Sequence, residues 1–457
     1  MKIIEAVKSA ARIVTNGGLT LVGTLLDRID FSTRCDQIPV AVAHPGNRIS
    51  CGDIITSAVG MMCSGNSSFE SVREYGDDTA FYGEALDIDH FPSPERLRQR
   101  LDEIAAADKA DRAFHNELRQ INGDLLNEIH APITPVSGGF IPVDIDVTPY
   151  NEAKSHKEGV SRTYKGCDGY APINAYIGQE GYCINVEFRE GSQHSQKGTP
   201  DFLVETIDLC NQLTSEKLLF RLDSGNDAIE NMGILMNRGL FFIIKRNIRR
   251  ESKENWLDLA QRYAPIHDKP REGKDVYIGS TWKEIAYKGL DGRMITQTVR
   301  IVFEITCRTI DKHGQVLLVP DIEVNTWWDN TGLSDKTVIE LYHQHGTMEQ
   351  YHSEIKSDMG MEKLPSGKFA TNTLIHDLSM FAYNLLRVIG SQLAGFKDIP
   401  MRGTAFRRRV RTIIMNIIRI PSRIISHGNR IKMDLGCSNI WADTFIYLQR
   451  KICFSAN

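Results

Sequence analysis

At 457 residues, with 41% hydrophobic and 25% charged residues, the chain has room for two or three domains with ordinary cores. A net charge of −4 excludes a protein that is basic throughout, so any nucleic-acid contact must come from local patches. Nine cysteines with no Cys-x-x-Cys pair exclude a zinc ribbon and a disulfide framework, and fit reduced thiols in a cytosol.

No apolar run reaches about 18 residues and no signal-peptide pattern opens the chain, so the expectation is a soluble, cytoplasmic protein without a membrane span. Residues 1–130 read as a helical N-terminal domain. The apolar run Asp53–Cys63 suits a buried helix, and Ser93 before Pro94 suits a helix start. Arg96, Arg98 and Arg100 follow that start, where they could meet DNA phosphates or simply face solvent.

From Gly138 the pattern changes. Phe140–Val147 alternates as a strand, with Asp144 and Asp146 on one side of the pleat. Tyr170–Ile177 and Tyr182–Phe188 read as the next two strands, and Pro200–Leu213 as a helix. Leu218–Leu222 is a short apolar strand ending at Asp223-Ser224-Gly225-Asn226-Asp227, a cluster that alone is as well explained by a turn. A helix over 227–238 and a strand up to Ile244 complete the order of a ribonuclease-H-like α/β core. The core is expected in two parts, 131–245 and 331–400, around a β-rich insertion at 246–330. Trp256, Trp282, Trp327 and Trp328 lie in or border that insertion, where they could stack on an unpaired base or pack in a core.

Leu341–Lys356 (LYHQHGTMEQYHSEIK) carries Tyr342, His345, Glu349, His352 and Lys356 at spacings of three and four, one face of a helix. A long helix from Thr371 to about Leu393 follows, and 401–457 forms a basic C-terminal region. Within it, Met401–Met433 holds Arg402, Arg407, Arg408, Arg409, Arg411, Arg419, Arg423, Arg430 and Lys432 and no acid, the footprint of a polyanion partner. Asp146, Asp223 and Glu349 are hard oxygen donors that could converge on Mg²⁺ through the fold. No Walker loop, His-Glu-x-x-His motif or nucleophile-elbow serine competes with them.

These residues give the chain a resemblance to DDE transposases of bacterial insertion sequences, in the branch with a Tyr-x2-Arg-x3-Glu-x6-Lys signature. Tyr342, His345, Glu349 and Lys356 match every spacing, with histidine in place of arginine. Asp144-Ile145-Asp146-Val147-Thr148 and Arg221-Leu222-Asp223-Ser224-Gly225 are similar to the family's two aspartate motifs. Gly169-Tyr170-Ala171-Pro172 and 366–372 resemble the 1380-type insertion-sequence group. The resemblance implies cut-and-paste movement of a DNA element by cleavage at its ends and strand transfer into target DNA. It implies Asp146, Asp223 and Glu349 as catalytic ligands of two Mg²⁺ ions, for which Mn²⁺ may substitute. Tyr342, His345 and Lys356 would contact DNA, as would Arg407, Arg408 and Arg409 from the basic run. The partner would be DNA, bound by a homodimer associated with a bacterial nucleoid. A nuclease of the same fold without strand transfer, and a non-catalytic DNA-binding descendant, are the alternatives.

Overall fold

The computed structural model describes residues 5–40, 49–401, 406–428 and 430–454, so Arg402 of the basic run lies outside the described residues. The chain divides into two units, one of Met1–Pro132, Tyr150–Tyr170 and His352–Asn457, the other of Ile133–Pro149 and Ala171–Tyr351. No helix of the described residues is long and apolar enough to cross a membrane, and all nine cysteines are free thiols.

The first unit is built on the helix Phe369–Ser391, which is buried on nearly every side, its polar Asn372, His376, Asp377, Ser379, Asn384 and Arg387 included. It packs on the helices Cys51–Cys63, Pro94–Asp111 and Ala113–Glu128. The Phe31 and Phe381 rings stack at 4.9 Å in this core. Ser93 caps its helix as read from the sequence, its Oγ accepting the Arg96 amide at 3.2 Å. Arg100 is buried, bonded to Glu103 and the Cys51 sulfur, so its charge serves packing rather than an exposed phosphate-binding row. Arg12–Val14, Ser422–His427 and Arg430–Asp434 form a small antiparallel sheet in this unit. Tyr170 ends a separate short strand, Asp168–Tyr170, rather than opening the one read from the sequence, because Pro172 interrupts the run.

The second unit is one nine-stranded mixed sheet. Its strands are β1 (Ile141–Val147), β2 (Ile173–Ile177), β3 (Tyr182–Glu187), β4 (Leu218–Leu222), β5 (Phe241–Lys245), β6 (Ile266–Arg271), β7 (Lys274–Lys288), β8 (Met294–Ile310) and β9 (Val316–Asp329). Their order is β6-β7-β8-β9-β5-β4-β1-β2-β3, with β1, β4 and β5 parallel and the other neighbours antiparallel. The helices α1 (Thr199–Leu213) and α2 (Ile229–Asn237) supply the crossovers that parallel neighbours require, and α3 (Lys253–Tyr263) packs on β7 and β9. β1, β2, β4 and β5 are buried nearly throughout because both faces of the sheet are covered there.

The strands β7, β8 and β9 run far longer than Val276–Ile278, Arg300–Ile305 and Gln315–Val319, the segments that read as strands in the sequence. The segments in β7 and β8 fall on buried stretches, whereas Gln315–Val319 falls on the exposed end of β9, whose buried end is 326–329. Asp329, Trp328 and Trp327 of β9 pair with Ile243, Ile244 and Lys245 of β5, continuing the core sheet directly into these long strands. Trp327 and Trp328 are buried, and Trp282 is 64% exposed. Trp327, Val302, Ile243, Leu219 and Leu341 share one apolar cluster, which seats the helix α4 (Asp335–Gln344) on the sheet.

Candidate functional site

The parallel pairing of β1 and β4 places Asp144 opposite Arg221 and Ile145 opposite Leu222. One step further on, Asp146 stands beside Asp223, which immediately follows β4. β1 has an antiparallel neighbour on one side and a parallel neighbour on the other. The carboxyl ends of such strands, where the topology switches, are where open α/β sheets place ligands.

Asp223 caps the short turn Ser224–Asn226, its Oδ1 accepting from the Gly225 amide at 3.2 Å and from Asn226 Nδ2 at 2.8 Å. Burial, and next the charge of Asp146, push its carboxyl up from the ordinary 3.8 to about 6. Tyr342 on α4 is half-buried, its ring 5.5 Å from that of His345 and 5.6 Å from that of Trp327. Its hydroxyl is raised well above the usual tyrosine range, first by burial and then by the charges of Asp223 and Asp146. A phenol with that bias stays protonated and can donate to an anion.

Asp144 has a different role. Arg221 Nε and Nη2 donate to its two oxygens at 2.6 Å each, and His345 Nδ1 lies 2.8 Å from Oδ1. Arg221 also donates to the Leu341 carbonyl at 2.7 Å, tying β4 to α4. Burial alone would raise the Asp144 carboxyl, but the charges of Arg221 and His345 outweigh it and hold the group below the ordinary value. Sequence reading passed over Arg221. The signal was present, since Asp223 follows β4 in extended conformation two residues after Arg221, which puts the two on one face.

The single helix read over Leu341–Lys356 is instead four segments: the end of α4, a 3₁₀ turn at His345–Thr347, an α-helical stretch Met348–Ser353 and a π stretch Glu354–Asp358. Gly346 sits in the 3₁₀ turn, and each 3₁₀ residue advances about 20° more than an α residue. The expected common face is therefore broken: His345 and His352 are buried, Tyr342 and Lys356 are half-buried, and Glu349 is exposed. The short helix of Glu349 is anchored by Tyr351, whose hydroxyl donates to the Gln179 carbonyl at 3.1 Å and whose ring lies 5.1 Å from that of Tyr176. Among the described residues no three His, Cys, Asp or Glu side chains are grouped to hold a metal ion. Asp146, Asp223, Tyr342 and His345 are brought together.

Lys356 belongs to the first unit, with its ammonium 5.7 Å from the Tyr150 ring centre, and burial lowers its pKa. Arg407, in the same unit, is bonded to Glu354 and, at 3.1 Å, to the Tyr383 hydroxyl. Arg409 meets Asp358 at 2.7 and 3.0 Å and Ser353 at 3.0 Å. Arg408 is half-buried, and its backbone carbonyl accepts from Arg387.

Paired aspartates at the carboxyl ends of adjacent parallel strands give this α/β protein an acidic cluster at the end of its sheet. The chain belongs to the family described as transposase DDE domain group 1, whose family model matches residues 1–454. No curated protein matches it. A solved structure, the cryo-EM structure of piggyBac transposase synaptic complex with hairpin DNA, is similar over 89% of this chain and 81% of that one, at 12% identity and a TM-score of 0.43.

Proposed function

We propose that this chain is a metal-dependent DNA transposase that cuts at the ends of an insertion sequence and joins the freed ends to target DNA, acting as a homodimer on a ribonuclease-H-like core. The observation that carries this reading is the Asp146–Asp223 pair, in which burial, and next the charge of Asp146, raises Asp223 to about 6. Two half-desolvated carboxylates of like charge fit a divalent cation, because hard oxygen donors bind it and its charge relieves their repulsion. Asp146 and Asp223 would hold Mg²⁺ or Mn²⁺, with Glu349 as the proposed third carboxylate. When bound, the two ions supply an activated attacking oxygen and charge neutralisation at the scissile phosphate.

The chain's own residues then have distinct tasks. Tyr342, held protonated, donates to a phosphate oxygen beside the pair. His345 takes the place of the signature arginine, and Asp144 fixes its Nδ1 side so that the ring presents a constant orientation. Lys356 contributes a cation to the same DNA. The strand order β3-β2-β1-β4-β5, three antiparallel strands followed by two parallel additions, supports the ribonuclease-H-like assignment.

The test is incubation of the purified chain and Mg²⁺ with a plasmid carrying its own gene and flanking DNA. Excision with joining to a second plasmid is expected. Nicking without joined products would make the protein a nuclease instead, and no cleavage in Mg²⁺ or Mn²⁺ would remove the enzymatic reading.

A further inference from the structure

The basic run does not act as one patch. Arg407 and Arg409 are committed to Glu354 and Asp358, and Arg419 to the Ser64 carbonyl and Asn66. Arg423, Arg430 and Lys432 are different. They lie on the antiparallel pair Ser422–His427 and Arg430–Asp434, all three are exposed, and none is ion-paired among the described residues.

The register says where they point. Arg423 is opposite Asp434, Ile425 opposite Lys432 and His427 opposite Arg430, while Ile13 of the third strand is opposite Arg423. Cross-strand partners share a face, so Ile13, Arg423, Ile425, His427, Arg430 and Lys432 form one outer surface with a single acid, Asp434. The opposite face holds Val14, Ser422 and Ile424, which are buried, and Arg12, whose guanidinium is held by Asp78 at 2.6 and 2.7 Å. The third strand stops its pairing at Ile424. Beyond it, Ile425, Ser426, His427, Arg430, Ile431 and Lys432 are exposed on both faces. The sheet therefore continues as a two-stranded ribbon, on which Arg423, Arg430 and Lys432 make no ion pair among the described residues and Lys432 lines a cleft with Phe81 and Glu84.

We infer that this ribbon is a duplex-DNA contact, with Arg423, Arg430 and Lys432 on phosphates. The inference rests on the transposase reading for its choice of polyanion, and deepens it by naming the surface. A major groove about 12 Å wide admits a two-stranded ribbon, whose strands are about 4.8 Å apart. Residues two apart on one strand are about 6.7 Å apart, so Arg430 and Lys432 can reach neighbouring phosphates of one DNA strand. Ile425 and Ile431, 38% and 46% exposed on opposite faces of the ribbon, offer apolar surface of the kind that meets thymine methyl groups.

The experiment compares the full-length chain with R423Q/R430Q/K432Q, by fluorescence anisotropy of a random-sequence duplex across a KCl series in EDTA. The expected result is weaker binding with the log–log salt slope reduced by about 2 to 3, since each lost phosphate contact removes about 0.9. R423K/R430K, which keeps the charges, should retain the wild-type slope. An unchanged slope in the triple variant overturns the inference, as does loss confined to phosphatidylserine vesicles with duplex binding intact. Plasmid cleavage by the wild type is scored on the same preparation. Cleavage with an unchanged slope sinks the ribbon and leaves the transposase reading standing. A reduced slope in a chain that never cuts supports the ribbon and removes the enzymatic reading.

Discussion

Arg221 grips Asp144 with two nitrogens at 2.6 Å each, and this contact separates two aspartates that the sequence leaves equivalent. Asp144 and Asp146 lie on the same face of β1, yet the first is buried against a guanidinium and an imidazole while the second stands beside Asp223. Removing Asp144 would leave Arg221 as an unpaired buried cation. We expect Asp144→Ala to cost about 3–5 kcal/mol of stability. Asp146→Ala should cost little stability and abolish cleavage. Urea denaturation and plasmid nicking on both variants check this; a stable D144A protein that cannot cut would make Asp144 the ligand.

The titration of Asp223 carries a sign. Its folded-state carboxyl, near 6, lies above the ordinary 3.8, so ionising it costs the folded state free energy. That cost is absent below about pH 4 and fully present above about pH 6. Asp223→Asn should therefore raise the metal-free Tm at pH 7.5 and leave it nearly unchanged at pH 4. In the wild type, the Tm gain from Mg²⁺ should grow from pH 5 to pH 7, because the cation competes with the proton. Differential scanning fluorimetry reads both, and a Tm difference independent of pH would show that Asp146 and Asp223 do not interact.

Glu349 is exposed on its short helix, so Glu349→Gln should fold normally. The amide keeps the shape and loses the charge needed for a divalent ion, so cleavage should vanish while duplex binding stays within a few-fold. Nicking near the wild-type rate would take Glu349 out of the site.

Gly181 tests how that helix is placed. Its φ of +71° lies in the left-handed region, and an added Cβ would come within 2.4 Å of the Tyr351 ring. Gly181→Ala should cost about 1–2 kcal/mol from the backbone alone. It should also lower cleavage more than binding, because Tyr351 is two residues from Glu349. Equal wild-type kcat in the variant would mean that the anchor does not position the glutamate.

Arg407 makes the opposite case to the ribbon cations. Glu354 is buried at 1% exposure, and Arg407 is its charged partner. Arg407→Gln should lower stability by about 3–5 kcal/mol while leaving the salt slope of DNA binding unchanged. A reduced slope in a stable variant would return Arg407 to the DNA surface.

Local pattern alone determined the succession from β1 to β5, the cap at Ser93 and the buried helix near Thr371, because periodicity and capping act over a few residues. It also singled out Asp146, Asp223 and Tyr342, which the fold brings together. The reach of β8 and β9 was not legible, since 294–298 and most of 316–323 are exposed and leave no apolar alternation. Neither was the break in the helix at Gly346, where small differences in turn geometry decide which side chains share a face. The charges were least legible of all. A run of arginines reads alike along its length, and only the tertiary structure decided which met buried acids and which faced water, because a partner's position depends on residues far away in the chain.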